Sequence, residues 1–213
     1  MSTGRPVPLA TAAPIAAALR ARLAPACARI AIAGSVRRRK PTVSDVELVA
    51  VPRLIAEPAG DLWGERTVER DPLAERLATL AASGELIPRR VMLHRADGRL
   101  EESHRVGPAY QALVFRGLPI DLFIVRPPAE WGVIFALRTG PGDWNTRLVT
   151  ECQRYGRRVS GGRLLVDGIP VACPEETDFF REIGQPWVEP PERQPARVRL
   201  GRSSGGGPVA WPR

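Results

Sequence analysis

The sequence predicts an α+β protein, with a mixed sheet flanked by helices and a smaller second unit of helices and short strands. Two observations lead there. Short runs rich in Val, Ile and Leu, bounded by Gly, Pro and Asp, stand at 28–33, 45–51, 89–93, 109–116 and 120–125, with helical patterns at 14–23 and 73–82 among them. Beyond Arg126 the pattern changes to helix, breaker, helix, hairpin and helix. The 213 residues, 44% of them hydrophobic, can bury a core in one large or two small domains without disulfides.

Taken in order, residues 1–8 form a flexible lead-in and 14–23 an amphipathic helix that packs on the sheet. The alanine-rich run 10–18 is too short, and too interrupted by Pro14, for a secretion signal or a membrane span. The first strand, 28–33, ends in a Gly34-Ser35 turn; a basic loop, 37–44, leads to the second strand, 45–51. Residues 52–71, rich in Pro, Gly and charge, read as an irregular insertion. Asp71 is the N-cap of the helix 73–82, with Pro72 at its first position and Gly84 at its end. Strands 89–93 and 109–116 are joined by a polar loop around Asp97-Gly98, and Gly117-Leu118-Pro119 turns into the strand 120–125. In the second unit, a helix at 130–137 is broken by Thr139-Gly140-Pro141-Gly142. Asp143 caps the next, 144–155, where Trp144, Leu148 and Val149 have helical spacing. A hairpin, 164–166 with 169–172, turns at Asp167-Gly168, and a short helix at 175–183 closes the unit. The expected domains are 9–127 and 128–193, with a basic flexible tail at 194–213.

A formal charge of +8 favours a polyanionic partner such as nucleic acid. Cys27, Cys152 and Cys173 are odd in number and lack C-x-x-C spacing, and His94 and His104 flank no metal-like cluster, so neither a zinc site nor a disulfide framework is expected. Reduced cysteines suit a cytoplasmic location, in a bacterium or a phage-infected cell.

The chemistry concentrates in Gly34-Ser35-Val36-Arg37-Arg38-Arg39-Lys40-Pro41-Thr42-Val43-Ser44-Asp45-Val46-Glu47. On a strand, residues i and i+2 share a face, so Asp45 and Glu47 project together. Paired carboxylates repel unless a cation lies between them, and hard divalent ions, Mg²⁺ above all, suit oxygen ligands. The Gly34-Ser35 turn can offer N–H groups and a hydroxyl to phosphate. Asp121 is the one charge in the apolar run Ile120–Val125, where an unpaired carboxylate is costly, and a third metal ligand accounts for it. These residues predict a metal–triphosphate site; a solvated acidic strand face is the bland alternative.

These residues resemble the nucleotidyltransferase superfamily and, more narrowly, the family X DNA polymerases, whose pattern is G-S-x-R-R, then D-x-D, then a third Asp on an adjacent strand. Residues 132–145, from Gly132 to Asn145, resemble that family's G-V-L-Y-F-T-G-S-x-x-F-N segment with two extra residues. Residues 176–193, with Trp187-Val188-Glu189-Pro190-Pro191-Glu192-Arg193, resemble its closing acidic helix and aromatic-x-E-P-x-x-R. Together they cover residues 12–193. The resemblance implies a nucleotidyltransferase palm followed by a nucleotide-selecting, thumb-like subdomain. It implies two Mg²⁺ ions (Mn²⁺ as substitute) bridged by Asp45 and Glu47, with Asp121 on the catalytic ion and placed to take the proton of the 3′-hydroxyl. It puts Gly34, Ser35, Arg38 and Ser44 at the triphosphate, and Gly140, Trp144 and Asn145 at the nucleotide; Trp144 is equally explained by core packing. Arg37, Arg39 and Lys40 are either phosphate contacts or solvated loop charges.

Departures matter too. Glu47 stands where the family has Asp, and Ser44 where it has Gly. Leu137 and Arg138 replace an aromatic pair along the sugar, which implies acceptance of ribonucleotides. Val149 replaces a templating-strand arginine, which implies weak geometric checking. Pro141 replaces Ser in a turn whose peptide bond is cis in the family, predicting a cis Gly140-Pro141 bond. Lys40 is the only lysine, and the family's lyase and helix-hairpin-helix modules are not seen. The implied activity is that of a monomeric DNA-directed DNA polymerase using nucleoside triphosphates on gapped or primer–template DNA, filling gaps in repair. Two alternatives stand beside it: a template-independent terminal or small-molecule nucleotidyltransferase, which the E-P-x-x-R segment disfavours, and a nucleic-acid-binding scaffold without chemistry, which the intact acidic triad disfavours.

Overall fold

The computed structural model describes residues 5–58, 67–94, 100–104 and 106–199. The polar loop at Asp97-Gly98, the middle of the insertion and most of the tail lie outside them. The chain divides into two compact units, one of residues 1–36 and 41–126, the other of Arg37–Lys40 and 127–213.

In the first unit, β1 (Val7–Pro8) leads directly into α1 (Leu9–Leu23), and β2 (Cys27–Ile32) follows a 3₁₀ turn. The expected lead-in therefore ends in a strand, and α1 starts five residues before Pro14. Alanines at 10, 12 and 13 carry the helix across the proline, and Ala12, Ala16, Leu19 and Leu23 are buried at helical spacing. Next come α2 (Gly34–Arg37), β3 (Thr42–Val43) and β4 (Val46–Pro52). The basic loop is thus partly regular, since β3 pairs antiparallel with β1. The expected irregular insertion is bounded by a ladder: β5 (Ile55–Pro58) pairs antiparallel with β6 (Thr67–Arg70).

Helix α3 (Pro72–Ala82) starts as the sequence predicts, with Asp71 Oδ1 accepting from the N–H groups of Leu73 (3.0 Å) and Ala74 (3.1 Å). The other carboxylate oxygen of Asp71 pairs with Arg126. The strands that follow are β7 (Leu86–Pro88), β8 (Arg90–His94), β9 (Leu100–His104), β10 (Tyr110–Phe115) and β11 (Leu118–Ile124). The main sheet has the order β2-β4-β11-β10-β7, parallel only between β4 and β11. It is the mixed sheet the sequence predicts, but β8 is not part of it: β8 pairs with β9 in a separate ladder. The edge position goes to β7, three residues ending in Pro88, short enough to escape detection and at an edge where proline is tolerated. Arg116 (φ 49°) and Gly117 (φ 77°) make the two-residue turn between β10 and β11, so β11 begins at Leu118, earlier than expected. One core joins α1, α3 and the inner sheet face, including Leu19, Leu48, Leu73, Phe115, Ile120 and Leu122.

In the second unit, α4 (Trp131–Thr139) and α5 (Gly142–Gln153) are followed by β12 (Arg157–Ser160), β13 (Arg163–Val166), β14 (Ile169–Val171) and α6 (Glu176–Glu182). The Gly140-Pro141 bond is cis, as the sequence predicts; Pro127-Pro128 is a second. Asp143 does not cap α5 as expected: α5 begins at Gly142, and Asp143 Oδ1 accepts from the neighbouring N–H of Trp144 at 2.8 Å. The hairpin at Asp167-Gly168 gains β12 as a third strand. Glu175 and Asp178 form a capping box at α6. Gln194 does not start a loose tail: Pro195–Arg197 form a 3₁₀ turn, and Val198 is buried in the core with Trp144, Leu148 and Phe179.

Arg193 is enclosed within this unit. Its guanidinium lies 5.1–5.2 Å from the ring centroids of Trp144, Phe180 and Trp187, and pairs with Glu176 at 2.8 Å. Arg37 grips the same carboxylate with both Nη atoms, at 2.9 and 2.6 Å. Burial pulls the Arg193 guanidinium below its ordinary range, against the pull of Glu176. The three cysteines are free and buried, and burial pushes the thiols of Cys152 and Cys173 up to about 12. Among the described residues no helix is long and apolar enough to cross a membrane.

Two outcomes follow from these contacts. Glu176→Gln leaves the buried Arg193 without its counter-charge and should cost about 3–5 kcal/mol in urea unfolding. Burial raises the Asp71 carboxyl, but Arg126 and the helix N–H groups outweigh it and hold it below the usual 3.8. A carboxylate depressed in the folded state stabilises above the unfolded value and loses that effect as pH falls through the folded one. Asp71→Asn should therefore destabilise by about 1 kcal/mol at pH 7, with the gap from the parent closing in unfolding titrations taken down to pH 3.

Candidate active site

The outer face of the main sheet carries one row of residues across its strands. Asp121 on β11 stands opposite Glu47 on β4 in the parallel pair, and opposite Ala112 on β10 in the antiparallel one. Arg89 donates its backbone N–H to Ala112 O at 2.8 Å, and Ala33 donates to Glu47 O at 2.8 Å. The row thus reads Arg89, Ala112, Asp121, Glu47, Ala33. Adjacent strands are about 4.8 Å apart, so Glu47 and Asp121 are immediate neighbours on this face. Val46, Leu48, Ile120 and Leu122 turn the other way, into the core. Small alanines, Ala112 and Ala33, flank the two carboxylates in the row.

Gly34 follows Ala33 directly, buried and at φ +61°, and a Cβ there would lie 1.7 Å from Glu47 Oε2. The positive φ favours glycine, and the Glu47 carboxylate occupies the space a side chain would take. Ser35 comes next; its Oγ is enclosed and has no hydrogen-bond partner among the described residues. A buried hydroxyl left this way is an orphan donor, next in the chain to the glycine that meets Glu47. Asp45 is half-buried one residue before β4 begins, and Ser44 is half-buried on the bend before it.

The sequence predicts that Asp45, Glu47 and Asp121 converge. Among the described residues no three His, Cys, Asp or Glu side chains gather closely enough to hold a metal ion. The register of β4 and β11 brings Glu47 and Asp121 side by side, and Asp45 stands one residue before β4. Nor is Asp121 the unpaired charge that the sequence suggested: Arg89 Nη2 pairs with its Oδ1, and Tyr110 Oη donates to the same oxygen at 2.7 Å. The donor set still suits Mg²⁺, being carboxylate oxygens on strands fixed in register, with Gly34 leaving room for that of Glu47.

The remaining predicted residues lie in the second unit. Arg38 Nη1 donates to Thr139 O, and a Cβ on Gly140 would be 3.0 Å from that Nη1. Asn145 donates from Nδ2 to Leu137 O at 2.6 Å, while its Oδ1 is enclosed and unpaired among the described residues. Arg38, Gly140 and Asn145 therefore form one polar cluster. Trp144 does not belong to it. It is 1% exposed in the second core, 5.6 Å from the Phe180 ring, so the nucleotide contact expected of it gives way to packing. Arg37 is likewise bound within the unit, to Glu176 and to Thr139 Oγ1 at 2.6 Å, whereas Arg39 and Lys40 are exposed.

Sequence reasoning missed Arg89 and Tyr110. The available signal was Arg89 at the end of a short edge strand, which gains meaning only once β7 is placed beside β10.

Compared by sequence, the chain matches no protein-family model and no curated protein. Compared by structure, it is similar to polymerase beta from Leishmania infantum, solved as a ternary P/T complex: the TM-score is 0.61 at 18% identity, over 90% of this chain and 77% of that one. The fold is polymerase beta-like.

The contact at Gly34 has a direct test. Gly34→Ala should cost roughly 1–3 kcal/mol in urea unfolding. In the double variant with Glu47→Ala the cost should be clearly less than the sum, because the clash partner is gone.

Proposed function

We propose that this chain is a nucleotidyltransferase of the family X type, a small DNA-directed DNA polymerase that extends a primer 3′-hydroxyl on gapped or primer–template DNA. The observation that carries this is the row in which Glu47 and Asp121 stand side by side next to Gly34 and the orphan hydroxyl of Ser35. The polymerase beta-like fold and the +8 charge support it.

Asp45, Glu47 and Asp121 would hold two Mg²⁺ ions, or Mn²⁺, which when bound acidify the attacking hydroxyl and neutralise the triphosphate. Ser35 Oγ offers a phosphate oxygen the hydrogen bond it makes to nothing else described. Arg38 supplies a fixed guanidinium fork to phosphate. Asp121 Oδ1 already accepts two hydrogen bonds, which leaves Oδ2 to receive the proton of the 3′-hydroxyl. Asn145 Oδ1 is an acceptor for the incoming nucleotide. Leu137 and Arg138, at the end of α4, put no aromatic ring against the sugar, so ribonucleotides are accepted beside deoxyribonucleotides. Exposed Arg39 and Lys40 contribute to holding the DNA backbone. Gap filling in DNA repair is the role that fits.

A gapped duplex offered each nucleotide singly tests this. The parent should insert the templated nucleotide in Mg²⁺, and Asp121→Asn, folded by circular dichroism, should lose about 10²–10³-fold in rate or more. A folded and active Asp121→Asn would remove that carboxylate from the chemistry. Equal addition with and without template would place the enzyme among the untemplated transferases.

A further inference from the structure

Two side chains hold one oxygen of Asp121. Arg89 Nη2 pairs with Asp121 Oδ1, and Tyr110 Oη donates to the same atom at 2.7 Å. The pair is partly enclosed, with the Arg89 side chain 13% exposed and that of Asp121 19%. Backbone register fixes it, because Arg89 N bonds to Ala112 O and Ala112 faces Asp121 across β10 and β11. Only the methyl of Ala112 intervenes along the row. Tyr110, two residues before Ala112 and on its face, is steadied by Phe123, with ring centroids 5.1 Å apart.

A guanidinium keeps its charge at every working pH. A divalent cation on Asp121 would share one carboxylate with it, and positive charges this close repel with little screening at an enclosed site. We propose that Arg89 is a counter-ion latch: it competes with divalent cations for Asp121, so this carboxylate takes a cation tightly only when the negative charge of a nucleoside triphosphate joins the site. This rests on the nucleotidyl-transfer function proposed above. Arg89 is a positioning residue that acts through Asp121, with Tyr110 holding the carboxylate plane for it. Its effect is to tie loading of the cation to loading of the substrate.

Mn²⁺ binding to the full chain, followed by electron paramagnetic resonance without nucleotide or DNA, tests the latch. Arg89→Met, similar in reach but uncharged, should lower the Kd about tenfold. Arg89→Lys, which keeps the charge, should stay near the parent, and Asp121→Asn added to Arg89→Met should erase the gain. With a saturating non-hydrolysable nucleoside triphosphate, the parent and Arg89→Met should converge. A folded Arg89→Met that binds Mn²⁺ no more tightly overturns the latch. Should that variant not fold, the parent protein decides. Its Arg89 side-chain nitrogen resonances, kept distinct by the ion pair, should merge when Mg²⁺ and the triphosphate are added together, and unchanged resonances overturn the latch. If Asp121→Asn leaves Mn²⁺ binding of the parent untouched, both the latch and the nucleotidyl-transfer function fail. If it weakens binding but Arg89→Met does not tighten it, the latch alone fails.

Discussion

The parallel pairing of β4 with β11 is the constraint from which the candidate site follows. Its register sets Val46 against Ile120, Glu47 against Asp121 and Leu48 against Leu122. A slip of one residue would turn every side chain of one strand to the opposite face. Val46, Leu48, Ile120, Leu122 and Ile124 would then compete with the carboxylates for the core. Burying such side chains stabilises by about 1.5–3 kcal/mol each. Two like charges at the spacing of adjacent strands, about 4.8 Å, would repel by roughly 3–4 kcal/mol at an effective dielectric of 20. The apolar face wins, so the fold can hold two like charges together on the opposite face. Arg89 and Tyr110 lessen the cost at one of them.

Arg37 and Arg38 are fixed by a different device. The segment from Gly34 to Lys40 divides, with Gly34–Val36 folding in the first unit and Arg37–Lys40 in the second. Arg37 is fastened to Glu176, which also neutralises the caged Arg193. Arg38, next in the chain, is thereby delivered to the carbonyl of Thr139 at the Gly140 turn. One buried carboxylate thus organises an arginine from the start of the chain and another from its closing motif. Aromatic side chains from two segments close around Arg193: Trp144 from α5, and Phe180 and Trp187 from the closing motif.

Much of this was legible in the sequence because it rests on local chemistry. Asp71-Pro72 announced α3, the Gly117 and Asp167-Gly168 turns announced hairpins, and the break at 139–142 separated α4 from α5. The acidic residues of β4 and β11 were visible as charges in apolar runs. Pairing was not legible: β7 is three residues long, β8 reads as a sheet strand yet among the described residues pairs only with β9, and β1 hides in a proline-rich lead-in. The partners of Asp121 depend on that pairing, so Arg89 and Tyr110 stayed hidden. Asp45 stands one residue before β4, so the ladder that aligns Glu47 with Asp121 does not include it. Val198 escaped because a sequence of Pro, Arg and Gly does not show that one valine is anchored in a core.

The central claim is that Glu47 and Asp121 together hold a divalent cation. Its most direct test is a crystal of the full chain soaked with Mn²⁺ and a non-hydrolysable nucleoside triphosphate, with diffraction collected at the manganese absorption edge. An anomalous peak within coordinating distance of oxygens from both side chains is the predicted result. Density that stays with Arg89 on Asp121, with the manganese peak elsewhere or missing, would contradict it.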